Sequence, residues 1–293
     1  MSRKIKIKAD LFTIAIIIFL ILFTLSLFYL VFWSLISSLK LQPEFRLNKL
    51  GLPQEWTIEN YVSVYKNMYV RVVKSGMPTK VFFPEMMLNT VLYVVGCAFL
   101  QTITPCIVAY ATSKFNYKFN KFIDALVFTV MALPIVGSSV SELKLLKTIG
   151  LYDTMIGMWI QKTNFAGLYY FVFCAVFKGV PKSFFEAAYI DGASEFKIMV
   201  KISLPMVVYT FFTVFLIQFI AYWNDYQTIL LYLPSWPTLS YALYQLSVST
   251  IQELNNVPAR MAGAMIIIVP TLAIFSIFGK RLMGNISLGG VKE

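Results

Sequence analysis

Between Leu11 and Leu39 the chain runs for 29 residues without a charged side chain. A helix rising about 1.5 Å per residue crosses bilayer hydrocarbon in roughly 20 apolar residues, so this window sets the solvent before it sets any fold. Windows 86–113, 125–141, 202–224 and 261–279 are equally free of charge, and 163–177 is a shorter run of the same kind. These six are read as helical spans. A further uncharged window, 226–252, contains Pro234, Ser235, Pro237, Ser240, Ser247 and Ser249. Lipid cannot satisfy those groups, so it is read as an outer loop partly buried in protein. With 58% hydrophobic residues, 13% charged and a mean hydropathy of +0.72, the chain lies outside the range of soluble domains. The expected class is an all-α, multi-pass integral membrane protein.

Lysine and arginine orient such a chain, because they stay on the cytoplasmic side of short loops. With the N-terminus inside, fourteen of the 25 basic residues are cytoplasmic: Arg3, Lys4, Lys6 and Lys8; Lys114, Lys118 and Lys121; Lys178, Lys182, Lys197 and Lys201; and Lys280, Arg281 and Lys292. Most others lie in the loop 40–85, which is long enough to be partly exempt. The first window is expected to be a retained helix, since its uncharged run exceeds a signal h-region and no A-x-A site follows. The net charge of +11 is spread in small groups, which gives no nucleic-acid face. Cys97, Cys106 and Cys174 lie in apolar runs and there is no histidine, so no metal site is expected.

The segment GVPKSFFEAAYIDGASEFKIMVKISLP, residues 179–205, breaks the pattern on the cytoplasmic side. Pro181 suits a helix start, and Phe184, Phe185, Ala188 and Tyr189 give that helix an apolar side. Gly192 permits positive φ, and a second short helix is expected from about Ser194 to Ser203, ending at Pro205. Ala187, Ala188 and Ala193 keep one side small, while Glu186 and Asp191 offer carboxylates to a cationic partner. On the residues alone this is a docking knob or an amphipathic loop on lipid headgroups.

Glu186, Ala187, Ala188, three residues, Gly192, nine residues, Ile202, one residue, Leu204 and Pro205 resemble the EAA motif of permease subunits of binding-protein-dependent ABC importers. The resemblance covers most of the chain and looks closest to maltose-type permeases of the carbohydrate uptake branch. PQEWTIENY at 53–61, LNTVLYVV at 88–95, AYATSKFNYKFNK at 109–121, AYWNDYQ at 221–227 and the ending LMGNISLGGVKE are similar to family segments. Only the insert around 66–84 departs from it. The resemblance implies a type I ABC importer permease fold in the inner membrane, with six transmembrane helices, a cytoplasmic coupling-helix loop and both termini cytoplasmic. Residues 1–39 would hold the N-terminus and first span, 40–85 an extracytoplasmic loop, 86–283 the permease core with the loop 178–205, and 284–293 the tail. The implied partners are a second, homologous permease, two ATPase subunits carrying ATP and magnesium, an extracytoplasmic solute-binding protein and a sugar. No cofactor is implied for this chain, which has no G-x-x-x-x-G-K-[ST] loop and no catalytic residues. Glu186 would meet a basic ATPase side chain, Ala187 and Ala188 would pack in its cleft, and Gly192 would make the turn.

Sugars present hydroxyl edges and apolar ring faces, so Trp223, Asn224, Asp225 and Gln227 at the end of span five are pathway candidates. The competing reading makes Trp223 and Tyr226 interfacial anchors. Asn89 and Gln218 are further candidates, although single amides in spans also bond neighbouring helices. Pro105, Pro134 and Gly137 are candidate kinks. Three readings compete with a sugar importer subunit: a permease for a polyamine, peptide or phosphonate, an ATP-independent secondary carrier, and a membrane anchor for another protein. The carrier is disfavoured because charges avoid all six windows and no internal repeat is evident.

Overall fold

The computed structural model describes residues 11–74, 76–115, 117–133, 137–248 and 254–286. The basic N-terminal residues, Pro134, Ser249 and the tail beyond 286 lie outside them. The helices are α1 (Leu11–Ser38), α2 (Gln42–Leu47), α3 (Glu59–Asn67), α4 (Phe83–Lys114), α5 (Asn120–Ala132), α6 (Ser139–Thr148), α7 (Met155–Gln161), α8 (Leu168–Lys178), α9 (Lys182–Ile190), α10 (Glu195–Ile198), α11 (Leu204–Met206), α12 (Val208–Trp223), α13 (Gln227–Tyr232), α14 (Leu239–Val248) and α15 (Val257–Ile286). A π-helical turn, Met199–Ser203, joins α10 to α11. Two strands, β1 (Tyr69–Lys74) and β2 (Met77–Phe82), pair antiparallel from Tyr69↔Phe82 to Lys74↔Met77.

The hairpin corrects the all-α expectation at the insert around 66–84. Val70, Val72 and Val81 are buried in alternation with exposed Arg71 and Lys80, which is the period of a strand. The pairing leaves two residues for the turn, and the second, Gly76, has φ 81°. A Gly at that position supplies the positive φ of a tight hairpin.

Among the described residues, α1, α4 and the Val257–Phe278 part of α15 are long and apolar enough to cross a membrane. A fourth crossing is present if the Glu195–Met206 and Val208–Trp223 segments, bent by 73°, count as one. The windows 125–141 and 163–177 are represented by α5, with 13 residues, and α8, with 11. Those helices are about 20 Å and about 17 Å long, shorter than the roughly 30 Å of hydrocarbon. Helix α5 stops where Leu133 turns extended, φ −81° and ψ 120°, as a residue preceding a proline prefers.

The chain divides into two compact units. One comprises residues up to Met68 with Leu246–Ile266. In it the side chains of α1 from Leu11 to Leu35 are exposed or half-buried, an apolar surface on every side that suits lipid. The end of α1 is tied down by polar groups. The Lys40 ammonium is buried and donates to the Asn48 and Gly51 carbonyls, and Asn60 donates to the Ser38 and Lys40 carbonyls. Those bonds offset the cost of burying the charge.

The other unit comprises Tyr69–Gln245 with the chain from Ile267 on. Its centre is α4, against which α8 and α12 pack. Cys106, Ala109 and Tyr110 of α4, Tyr170, Phe173 and Phe177 of α8, and Val214 of α12 form the buried cluster. Pro105 is buried within α4, which continues through it. Helix α7 crosses α4 at Gly96, where an added Cβ would lie 2.1 Å from Trp159 Nε1, and that indole donates to the Leu92 carbonyl at 3.2 Å. Gly96→Ala is therefore expected to lower the stability of the purified protein by about 1–3 kcal/mol through overpacking. Thermal unfolding in detergent measures it, and Trp159→Phe in the same chain should recover part of the loss.

Candidate functional site

The loop 179–205 is organised by its backbone. Pro181, φ −60° and ψ 134°, is the N-cap of α9, one position before the expected first turn. Helix α9 ends in a Schellman turn: Ala193 N–H reaches the Ala188 carbonyl at 3.0 Å and Gly192 N–H the Tyr189 carbonyl at 3.0 Å. Gly192 has φ 72°, the left-handed conformation this closure needs. Ser194 caps α10, its hydroxyl accepting from Lys197 N–H at 3.4 Å.

The second helix does not end at Pro205. Proline lacks an N–H and its ring clashes with the carbonyl four residues back, here that of Lys201. The preceding turn widens into the π-helical segment, with Leu204 N–H bonding Met199 O five residues back. The chain passes through Pro205 and bends at Val207, which is buried in the α4–α8–α12 cluster beside half-buried Met199 and Leu204.

Lys114, the last residue of α4, fixes the loop to the core. Its side chain is only 8% exposed and donates to Glu195 Oε2 at 2.7 Å and Tyr110 Oη at 2.9 Å. The ammonium stands 5.0 Å from the ring centres of both Phe185 and Tyr189, 5.3 Å from Tyr110 and 5.4 Å from Phe115, within cation–π reach of all four. Tyr189 donates to the second oxygen of Glu195. The hydrogen bonds from Lys114 and Tyr189 hold the Glu195 carboxyl below the usual carboxylate range. Neither Lys114 nor Glu195 belongs to the motif. The pair is 81 residues apart in sequence, so no spacing reveals it.

Of the motif residues, Glu186, Ala187, Asp191, Gly192 and Pro205 are exposed. Ala188 is 6% exposed, so its methyl is not part of the outward surface that the sequence assigned to it. The outermost apolar groups are Ile190, 86% exposed, and Phe196, 71% exposed.

The pathway candidates divide. Trp223 is buried, stacks on Phe219 and donates to the Ile267 carbonyl at 3.0 Å. This fits neither an interfacial anchor nor an open platform. Asp225 accepts from Tyr93 Oη at 2.8 Å and caps α13 through Thr228 N–H at 3.0 Å. Asn89 is buried and donates to the Pro237 carbonyl at 3.1 Å, next to Leu239 N–H on Thr90 Oγ1. These three hold α4 to α12 and to the 237–239 loop, or α12 to α15. Asn224 and Gln227 are exposed, and Gln218 is half-buried.

A polar cleft of about 610 Å³ lies elsewhere, lined by Gln101, Glu142, Gln161, Lys162, Asn164 and Tyr222. Tyr222 Oη donates to Gln101 Oε1 at 3.1 Å and Gln161 Nε2 to Glu142 Oε2 at 3.0 Å. Lys162 Nζ stands 5.7 Å from the Tyr222 ring centre. Glu142 and Lys162 flank the uncharged windows, so the windows themselves conceal them. The polar run QKTN at 161–164 is the trace they leave in the sequence.

Residues 101–287, well over half the chain, match the family model described as "Binding-protein-dependent transport system inner membrane component". The diacetylchitobiose uptake system permease protein NgcG of Streptomyces coelicolor is 24% identical over 279 residues, covering 92% of this chain and 86% of that one. The arabinooligosaccharides transport system permease protein AraQ of Bacillus subtilis is 24% identical over 295 residues, 97% of each. A chain in the crystal structure of a bacterial ABC transporter for the import of the acidic polysaccharide alginate superposes with a TM-score of 0.73 at 21% identity, covering 96% of this chain and 98% of that one.

A carboxylate whose pKa is lower folded than unfolded contributes stability that is full above the ordinary value of about 4 and is lost as pH falls through the folded value. Unfolding midpoints of wild type and Glu195→Gln are therefore expected to differ at pH 7 and to converge only in the acid range. A difference independent of pH would contradict the Lys114–Glu195 clamp.

Proposed function

We propose, for a chain that belongs to the family of binding-protein-dependent transport system inner membrane components, that it is a transmembrane subunit of an ATP-driven importer of a sugar or oligosaccharide. The named relatives serve diacetylchitobiose and arabinooligosaccharides, which supports carbohydrate as the substrate class. The working complex adds a second, homologous permease, two ATPase subunits that carry ATP and magnesium, and a solute-binding protein outside the membrane. In this reading the chain crosses the membrane six times with both termini cytoplasmic. The short helices α5 and α8 complete their crossings within the protein, where other helices replace lipid.

The segment α9–Gly192–α10 is the coupling element. One observation carries this: the helix–turn–helix leaves Ile190 and Phe196 exposed beside Glu186, Ala187 and Asp191. An exposed apolar tip with two carboxylates near it suits a partner's cleft better than it suits solvent. Glu186 and Asp191 meet basic side chains of the ATPase, Ala187 lets the surfaces approach, Gly192 keeps the turn and Pro205 shapes the exit into α12. Closure of the ATPase pair on ATP then moves the loop, and the Lys114–Glu195 clamp and buried Val207 pass that movement to α4 and α12. Forcing a β-branched side chain into left-handed backbone costs about 1–2 kcal/mol. In the reconstituted complex Gly192→Val is expected to abolish sugar uptake, together with the stimulation of ATP hydrolysis by the liganded binding protein, while the four-subunit core still assembles. Uptake at the wild-type rate would remove the turn from the mechanism.

A further inference from the structure

The polar cleft around Gln101 is unlike the rest of the α4–α8–α12 core. Gln101 lies thirteen residues before Lys114 and eighteen after Phe83, which places it near the middle of a helix about 48 Å long. Charged and amide side chains at the depth of a membrane helix's midpoint are costly and mark water-filled or solute-filled space. Here one carboxylate, Glu142, and one ammonium, Lys162, share a cavity with three amides and a tyrosine.

The hydrogen-bonding capacity of the cleft is unsaturated on the acceptor side. Gln161 Oε1 is buried without a hydrogen-bond partner among the described residues, although the same amide gives its NH₂ to Glu142. Glu142 accepts from Gln161 and Tyr232, and a carboxylate has capacity for further donors. Leu145, Ile149 and Ile160 add apolar surface to the lining, together with the Tyr222 ring. A volume of about 610 Å³ is within the usual range for small-molecule pockets, roughly 300–1,000 Å³.

We infer that this cleft is a subsite for one neutral glycosyl unit in transit, so that this chain itself touches the sugar. The inference rests on the chain being a sugar importer subunit. A pyranose ring lays its C–H face on Ile149, Ile160 and Tyr222. Its hydroxyls donate to Gln161 Oε1 and Glu142, and accept from Lys162 and Asn164. Both charges come from the protein and cancel, so a neutral polyol satisfies the rim. A uronate carboxylate would bring a second negative charge into a cleft whose one ammonium, Lys162, is already balanced by Glu142.

The test uses the complete importer with its binding protein in liposomes, with labelled maltotriose, raffinose, arabinotriose and diacetylchitobiose as neutral probes and trigalacturonate as the anionic one. Uptake and binding-protein-stimulated ATP hydrolysis are read in parallel. Wild type is expected to take up at least one neutral probe. Gln161→Leu, which keeps the volume and removes the acceptor, should cut that uptake about tenfold or more while stimulated hydrolysis stays within about twofold. Glu142→Gln, nearly isosteric, should act in the same direction and carries the test if the leucine variant fails to assemble. Both variants importing at the wild-type rate would overturn the subsite while leaving the sugar importer intact. Equal loss of uptake and hydrolysis in an assembled complex would overturn it too, because that is the pattern of a structural defect. Uptake of trigalacturonate alone would overturn the neutral-ligand assignment, and a wild type that imports none of the probes would sink the sugar reading and the subsite with it.

Discussion

Helix α4 holds its course for 32 residues through a buried proline, and each level of the unit built around it uses a different physical contact with that helix. At its first turns Asn89 and Thr90 hold the 237–239 loop by hydrogen bonds, and Tyr93 holds Asp225. Gly96 admits the indole of Trp159. Gln101 opens onto the cleft, and Lys114 closes the helix on Glu195. Since interiors pack at crystal-like density and deform little, a displacement imposed at Lys114 reaches Gln101 about 20 Å away along a rod. On the proposed function, the helix to which the coupling loop is clamped is also the helix that opens onto the cleft.

The second connection is made by the irregular backbone from Met199 to Val207. A regular helix running into Pro205 would set the Lys201 carbonyl against the proline ring. The π-helical turn relieves that clash, and the 73° bend follows two residues later. Since Val207 is 1% exposed inside the aromatic cluster, the bend is fixed by packing and does not act as a loose joint. The loop therefore has two attachments of different chemistry: a charge-assisted one at Lys114 and an apolar one at Val207.

What the sequence discloses depends on whether the physics is local. The apolar windows of α1, α4 and α15 are legible because burial in lipid depends on an unbroken run. The turn at Gly192 is legible because only the backbone and the residues beside it decide it. The hairpin at 69–82 was legible in principle, since YVRVV alternates and a glycine follows, but its place in a charged loop between spans concealed it. The Lys114–Glu195 clamp and the Gln101 cleft join residues far apart in the chain, and Lys114, Glu142 and Lys162 each lie just outside an apolar window. Trp223, Asp225 and Asn89 have the residue types of a sugar site, yet tertiary contacts spend their polar groups on holding helices together.

The proposed coupling depends on the tip of the α9–Gly192–α10 loop meeting an ATPase subunit, and Ile190 is the residue from which to measure it. The native cysteines, Cys97, Cys106 and Cys174, are all buried, so Ile190→Cys gives one accessible thiol among the described residues. In membranes holding the assembled importer, a short bifunctional thiol reagent linking this position to cysteines placed around the ATPase cleft should give a permease–ATPase product whose yield changes on adding ATP. A thiol that is instead labelled by a lipid-headgroup probe, with no product at any cleft position, would show that the loop lies on the membrane surface and would contradict the coupling mechanism.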